Sequence, residues 1–210
     1  MVQRVVPDVV VRRLTQYYYA LRHCQERGVE VVSSQRLGEM LNVTAAQIRK
    51  DLSFFGGFGK QGIGYHVGSL LEHVQRILGL QQEWPVALVG LGNLGRALLQ
   101  YPGFAQEGFQ IVALFDTDPR KVGTTAGQLV IRDNNEIAQV LPAAGVRIAI
   151  LALPPDEAQE VADRLIQAGV RALLNYAPIT LKVPAGVWVR QMDPLLALQS
   201  MTYYLVRVTG

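Results

Sequence analysis

The chain has 210 residues, of which 50% are hydrophobic and 18% charged, with a formal net charge of +3. That is the composition of an ordinary soluble globular protein with a real core, long enough for two small domains of about 100–200 residues each. No apolar run reaches about 18 residues, so no transmembrane helix is expected. Arg12 and Arg13 interrupt the N-terminal apolar stretch and no small-residue cleavage site follows, so no signal peptide is expected either. The single cysteine, Cys24, has no partner for an internal disulfide and fits a reducing cytoplasm. Residues 1–84 carry ten Lys+Arg against seven Asp+Glu, whereas residues 85–210 carry ten of each. The whole basic excess sits in the N-terminal part, a hint of a polyanionic partner.

Helical periodicity runs from about Val9 to Arg27 and stops at Gly28. Ser33 or Ser34 caps a second short helix carrying Leu37, Met40 and Leu41, and Asn42-Val43 makes a turn. Thr44-Ala45-Ala46-Gln47 matches a capping box opening a third helix over 45–55. Ala45, Ile48, Leu52 and Phe55 share one face of it, and Ala46, Arg49, Lys50 and Ser53 share the other. This is the helix-turn-helix plan, in which such a face enters the major groove; a solvated face on a three-helix bundle is the alternative. The glycine-studded stretch Phe58-Gly59-Lys60-Gln61-Gly62-Ile63-Gly64-Tyr65 reads as a β-wing. Ala46, Gln47, Arg49, Lys50, Ser53, Lys60, Gln61 and Tyr65 form the candidate DNA-binding set. Ser69-Leu70-Leu71-Glu72 matches another capping box, for a helix ending at Gly79, and residues 80–85 form a linker.

Val86 to Val89 is a short buried strand. Gly90-Leu91-Gly92-Asn93-Leu94-Gly95 then fills G-x-G-x-x-G, and a helix follows over 93–100. Strand 109–115 ends at Asp116. A strand before the motif, a helix after it and an acid about 20 residues on make a dinucleotide-binding fingerprint; a tight turn without a ligand is the alternative. The Asp116 carboxylate is positioned to accept both ribose hydroxyls, which favours NAD(H) over NADP(H). Alternating elements follow: a strand at 128–131, an Asp133-to-Glu136 cap and helix to Leu141, an apolar strand at 146–153, a helix at 156–168, and strands at 170–174 and 187–189. The 146–153 strand ends in Pro154-Pro155, where a cofactor-lining loop should sit at the strand's C-terminal end, with Leu153 and Pro154 as its candidate residues. Asp193-Pro194 opens a terminal helix, apolar around much of its circumference, that packs on its own domain or in a subunit interface.

The three histidines, His23, His66 and His73, all lie in the N-terminal part. None is on the nucleotide module to serve as a hydride-transfer acid or base, no Tyr-x-x-x-Lys pair exists, and no Cys/His cluster suggests a metal. A ligand-binding module that does not turn its cofactor over, joined to a DNA-binding module, is a regulator. The competing readings are a small NAD-dependent oxidoreductase with a basic accessory domain, and a CoA- or nucleotide-binding interaction module.

Over nearly its whole length the sequence resembles the Rex family of redox-sensing transcriptional repressors. The resemblance rests on Ser33-Ser34, on the run from Ile48 through Arg49-Lys50-Asp51-Leu52-Ser53 to Gly56, and on Gly59 to Tyr65. It continues through Val89 to Gly95, Phe115-Asp116-Thr117-Asp118, Lys121-Val122-Gly123, Leu153-Pro154 and Leu173-Leu174-Asn175-Tyr176-Ala177-Pro178. It implies a winged helix-turn-helix domain at 1–79, a Rossmann-like parallel-sheet α/β domain at 86–192, and a C-terminal dimerisation helix at 193–210 exchanged between two subunits. It implies a homodimer on operator DNA, released by NADH while NAD⁺ competes weakly, controlling genes of respiration and fermentation. Lys121 and Asn175 join the cofactor set on this ground, with Tyr101 and Asp193 as candidates near the nicotinamide. Two positions depart from the family pattern. A first-helix Tyr-Tyr-Arg run is here Tyr17-Tyr18-Tyr19, with Arg22 one turn on, and the apolar or aromatic residue after the terminal Asp is here Pro194.

Overall fold

The computed structural model describes residues 6–59 and 63–208. The chain divides into two compact units, Met1–Gln82 and Glu83–Gly210. In the first, α1 (Asp8–Glu26) is followed by β1 (Val31–Val32), α2 (Ser34–Leu41), α3 (Ala45–Leu52), β2 (Tyr65–His66) and α4 (Val67–Leu78). Ser33 caps α2 by accepting the Arg36 N–H at 3.1 Å, and Asn42 ends it in the left-handed region at φ 55°. Thr44 caps α3 through the Gln47 N–H at 3.1 Å. These two caps leave only a short turn between α2 and α3, which is what brings the helices together as a helix-turn-helix. Ile48 and Leu52 of α3 pack with Leu14, Leu21, Leu37 and Val74 in one core.

The tip of the expected wing, residues 60–62, lies outside the described residues. Beyond it β2 returns antiparallel to β1, with Val32 opposite Tyr65. One expectation differs here. Helix α4 starts at Val67 with His66 as its N-cap, so Ser69 lies within the first turn rather than capping it. Val67 is 1% exposed, and the helix starts three residues before the capping-box signature places it.

The second unit is a seven-stranded sheet in the order β5-β6-β4-β3-β7-β8-β9. The strands are β3 (Trp84–Val89), β4 (Phe109–Asp116), β5 (Thr125–Ala126), β6 (Leu129–Asp133), β7 (Ile148–Leu151), β8 (Ala172–Asn175) and β9 (Trp188–Gln191). All neighbours are parallel except β5 against β6. The helices are α5 (Asn93–Leu99), α6 (Pro102–Gln106), α7 (Ile137–Ala143), α8 (Pro155–Gln167) and α9 (Pro194–Val208).

Because strand side chains alternate, the sheet divides its apolar residues between two faces. Ala87, Val89, Ala113, Phe115, Ala149 and Leu151 point to the side packed by α7 and α8. Val86, Leu88, Leu114, Ile131 and Ile150 point to the other, packed by Leu98 and Leu99 of α5. The predicted Asp133 capping box is present, opening a 3₁₀ turn at Asn134–Glu136 that leads into α7. Between β4 and β6 the connection is made by turns and β5 rather than by a helix. The described side chains of α9 are all exposed, among them Leu195, Leu198, Met201 and Leu205. Among the described residues no helix is long and apolar enough to cross a membrane.

Candidate nucleic-acid and dinucleotide sites

In the first unit, α3 presents Ala46, Arg49, Lys50 and Ser53 on its exposed face. Arg49 donates from Nη1 to Ser34 Oγ at 2.9 Å, so its guanidinium is held across the start of α2. Ser53 Oγ donates to the Lys50 carbonyl at 2.7 Å. Lys60 and Gln61 lie outside the described residues. The other two candidates face the interior. The Tyr65 ring is 7% exposed and part of the core, and burial pushes its hydroxyl pKa up. Gln47 is half-buried, and its Nε2 donates to Asp51 Oδ1 at 2.7 Å instead of closing the capping box. Both serve the packing behind the exposed face in this conformation.

That packing centres on Asp51, which is fully buried. Its carboxylate accepts Arg13 Nε at 2.6 Å, Arg13 Nη2 at 2.9 Å, the Tyr17 hydroxyl at 2.7 Å and Gln47 Nε2. Burial raises the Asp51 pKa, but the hydrogen bonds from Arg13, Tyr17 and Gln47 outweigh it and hold the group below the usual carboxylate range. The Arg13 guanidinium is raised in turn by its bond to Asp51. This clamp ties α1 to α3 and so sets how the basic face is presented. Sequence reasoning missed it, although the signal was there. Asp51 is three residues beyond Ile48, and Arg13 lies between Val10 and Tyr17 on the buried face of α1.

In the second unit, the glycine-rich loop follows β3. Gly90 has φ +94°, and a Cβ there would run into the Ala152 carbonyl after β7. A Cβ on Gly95 would overlap the Gly90 carbonyl, so α5 sits against the loop only because position 95 lacks one. A Cβ on Gly92 would meet nothing within 4 Å. Packing explains the first and third glycines. The second borders open space, as close approach of a phosphate requires. Asn93 and Leu94 are exposed on the first turn of α5, while Leu91 is 1% exposed. Leu153 and Pro154 follow β7 on the same edge.

Asp116 ends β4 beside this loop with only 6% exposure. Its Oδ2 accepts the Leu91 N–H at 2.7 Å and Lys121 Nζ at 2.8 Å, and its Oδ1 accepts the Asp118 N–H at 2.9 Å. Burial opposes ionisation, yet Lys121 and the two N–H groups hold the carboxyl below its ordinary range. The expected pair of ribose acceptors is therefore already engaged by three protein donors. Asn175, at the end of β8, is fully buried. Its Nδ2 donates to the Ala177 and Ile179 carbonyls and to Gln191 Oε1, and its Oδ1 accepts the Ala177 N–H. It braces the strand-end loop. Tyr101 is 58% exposed, edge-on to Phe104 at 5.2 Å. Asp193 accepts the Leu195 N–H at 2.9 Å and caps α9. No group of metal-ligating side chains occurs among the described residues.

A helix-turn-helix unit joined to a Rossmann-type unit with a dinucleotide loop defines a DNA-binding protein that senses a nucleotide. Residues 5–53 match the family described as "Putative DNA-binding protein N-terminus" and residues 81–179 the one described as "CoA binding domain". A curated relative, the redox-sensing transcriptional repressor Rex of Chloroflexus aggregans, is 60% identical over 96% of this chain and 95% of its own length. Rex of Streptomyces griseus subsp. griseus is 42% identical over 99% of this chain and 82% of its own length. The crystal structure of RSP in complex with beta-NAD+ and operator DNA is similar with a TM-score of 0.92 and 37% identity, covering 98% of this chain and 94% of that one. RSP with beta-NADH matches with a TM-score of 0.87 and 35% identity, over 98% and 96% of the two chains. The chain belongs to the Rex family of redox-sensing transcriptional repressors.

Proposed function

We propose that this protein is a homodimeric repressor that holds operator DNA through α3 and the following wing segment and is released when NADH occupies the Rossmann unit. DNA occupancy then reports the NADH/NAD⁺ ratio in the cytoplasm, at genes of respiration and fermentation. The observation that carries the reading is one chain bearing both an exposed basic helix-turn-helix face and a glycine-rich loop with open space at Gly92. Arg49 reads base edges, while Lys50, Ser53 and Lys60 hold phosphates. The pyrophosphate lies over residues 90–95, with Leu153 and Pro154 lining the groove. The dinucleotide is bound rather than turned over, since all three histidines belong to the N-terminal unit.

The exposed apolar side chains of α9 suit burial against a second subunit, as the family resemblance implies. Release requires NADH to favour a dimer geometry in which two wings no longer fit two half-sites. A tenfold preference is about 1.4 kcal/mol, and moving a population from 1:99 to 99:1 takes about 5.5. NADH and NAD⁺ differ in ring charge and planarity, so the discrimination belongs near the nicotinamide, where Tyr101 and Asp193 are the candidates.

The test is anisotropy of labelled pseudo-palindromic duplexes selected from a random pool, titrated with NADH and with NAD⁺. Release by NADH at concentrations where NAD⁺ leaves the complex intact is expected. Arg49→Ala should weaken selected duplexes by about 1–3 kcal/mol and relax specificity at one position. Binding indifferent to NADH, or steady NADH consumption with a substrate, would overturn the proposal.

A further inference from the structure

Asp116 occupies the position from which an acidic residue recognises the adenosine ribose, yet it is paired within the protein. Its side chain is 8% exposed, whereas that of Lys121, whose Nζ lies 2.8 Å from Oδ2, is 25% exposed. The same ammonium is 4.0 Å from Asp118 Oδ2. Asp118 is in turn held by Arg120, whose Nε and Nη2 donate to its two oxygens at 3.0 and 2.9 Å. Two carboxylates and two cations cancel. A phosphate on the ribose 2′ oxygen would therefore meet a neutralised pair whose more accessible member is the cation. A bare carboxylate repels such a group and a free ammonium binds it.

We infer that the Asp116–Lys121 pair, rather than Asp116 alone, sets how this site ranks NAD(H) against its 2′-phosphorylated counterpart, with Lys121 as the specificity-determining cation. The inference rests on the dinucleotide reading above. Each member of the pair masks the other. Removing the ammonium uncovers the carboxylate and sharpens rejection of a 2′-phosphate. Removing the carboxylate charge frees the ammonium for that phosphate. In the unsubstituted chain Arg120 is engaged by Asp118.

The full chain and its Lys121→Met and Asp116→Asn variants are titrated with NADH and NADPH by calorimetry, with folding checked by circular dichroism. The pair 5′-AMP and adenosine 2′,5′-bisphosphate serves as a second probe that lacks the nicotinamide. Lys121→Met should raise the preference for the unphosphorylated ligand by about fivefold or more, and Asp116→Asn should lower it by about tenfold or more, for both probe pairs. Should Asp116→Asn fail to fold, the Lys121→Met arm decides alone. A Lys121→Met preference within about twofold of wild type overturns the inference, because Asp116 would then act alone. The two levels of failure are distinct. If the wild-type chain binds neither NADH nor 5′-AMP, the dinucleotide reading falls and takes this inference with it, whereas NADH binding with an unmoved ratio refutes the pair only.

Discussion

Replacing Asp51 by alanine tests whether the clamp between α1 and α3 holds the DNA-binding unit together. The substitution removes an acceptor that serves Arg13 twice, Tyr17 and Gln47. Tyr17 is 1% exposed, so its hydroxyl would be left buried without an acceptor, at a cost of about 1–3 kcal/mol. Breaking a fully buried ion pair costs about 3–5 kcal/mol, but the Arg13 side chain keeps 20% exposure and water can reach it, which puts this loss at the low end. The two costs overlap, and the total is roughly 3–4 kcal/mol. At about 4–8 °C per kcal/mol for a unit of this size, the unit should melt roughly 12–30 °C lower.

Hydrogen exchange is the suitable assay, since amides of α1 and α3 report this unit while those of α8 serve as an internal reference. The pH dependence has a definite sign. The Asp51 pKa is lowered in the folded state, so the clamp's contribution is complete above the unfolded carboxylate value near 3.9 and lost as pH falls through the folded value. The gap between wild type and Asp51→Ala should be constant above about pH 5 and close below about pH 4. A gap under about 1 kcal/mol at neutral pH, or one that widens on acidification, would refute the reasoning.

The glycine-rich loop should separate stability from binding. Gly92→Ala meets no protein atom within 4 Å, so its thermal midpoint should stay near wild type while NADH affinity in calorimetry falls at least tenfold, about 1.4 kcal/mol. Gly95→Ala places its Cβ against the Gly90 carbonyl and should lose about 1–3 kcal/mol of stability as well as binding. In α9, Leu198→Asp with Met201→Asp should convert a dimer to monomers in sedimentation equilibrium without lowering the helicity of the first unit; an unchanged mass would exclude α9 from the interface. Asp193→Ala, with folding checked, should blunt the difference between NADH and NAD⁺ in releasing DNA. Wild-type discrimination by that variant would leave Asp193 only a helix cap.

Local chemistry made much of this protein legible in the sequence. Asn42 at the turn, the Ser33 and Thr44 caps, the glycine spacing after β3 and the Asp133 capping box depend on neighbours within a few residues, and each appears where its residues predicted it. The buried runs of β3, β4 and β7 were likewise readable, because a strand covered on both faces is apolar throughout. Contacts across long stretches of chain were not. That Asp51 is the acceptor for Arg13 and Tyr17, 38 and 34 residues away, follows only once α1 lies against α3. The Tyr65 ring turns inward because β2 pairs with β1, which sets that residue over the core. Asp116 was recognisable as the acid after the second Rossmann strand. What only the tertiary structure decided is that Leu91, 25 residues away, and Lys121 on the following turn converge on that one carboxylate. A carboxylate's partners are set by which backbone N–H groups and cations the folded chain brings within 3 Å of it, and residue type alone does not contain that distance.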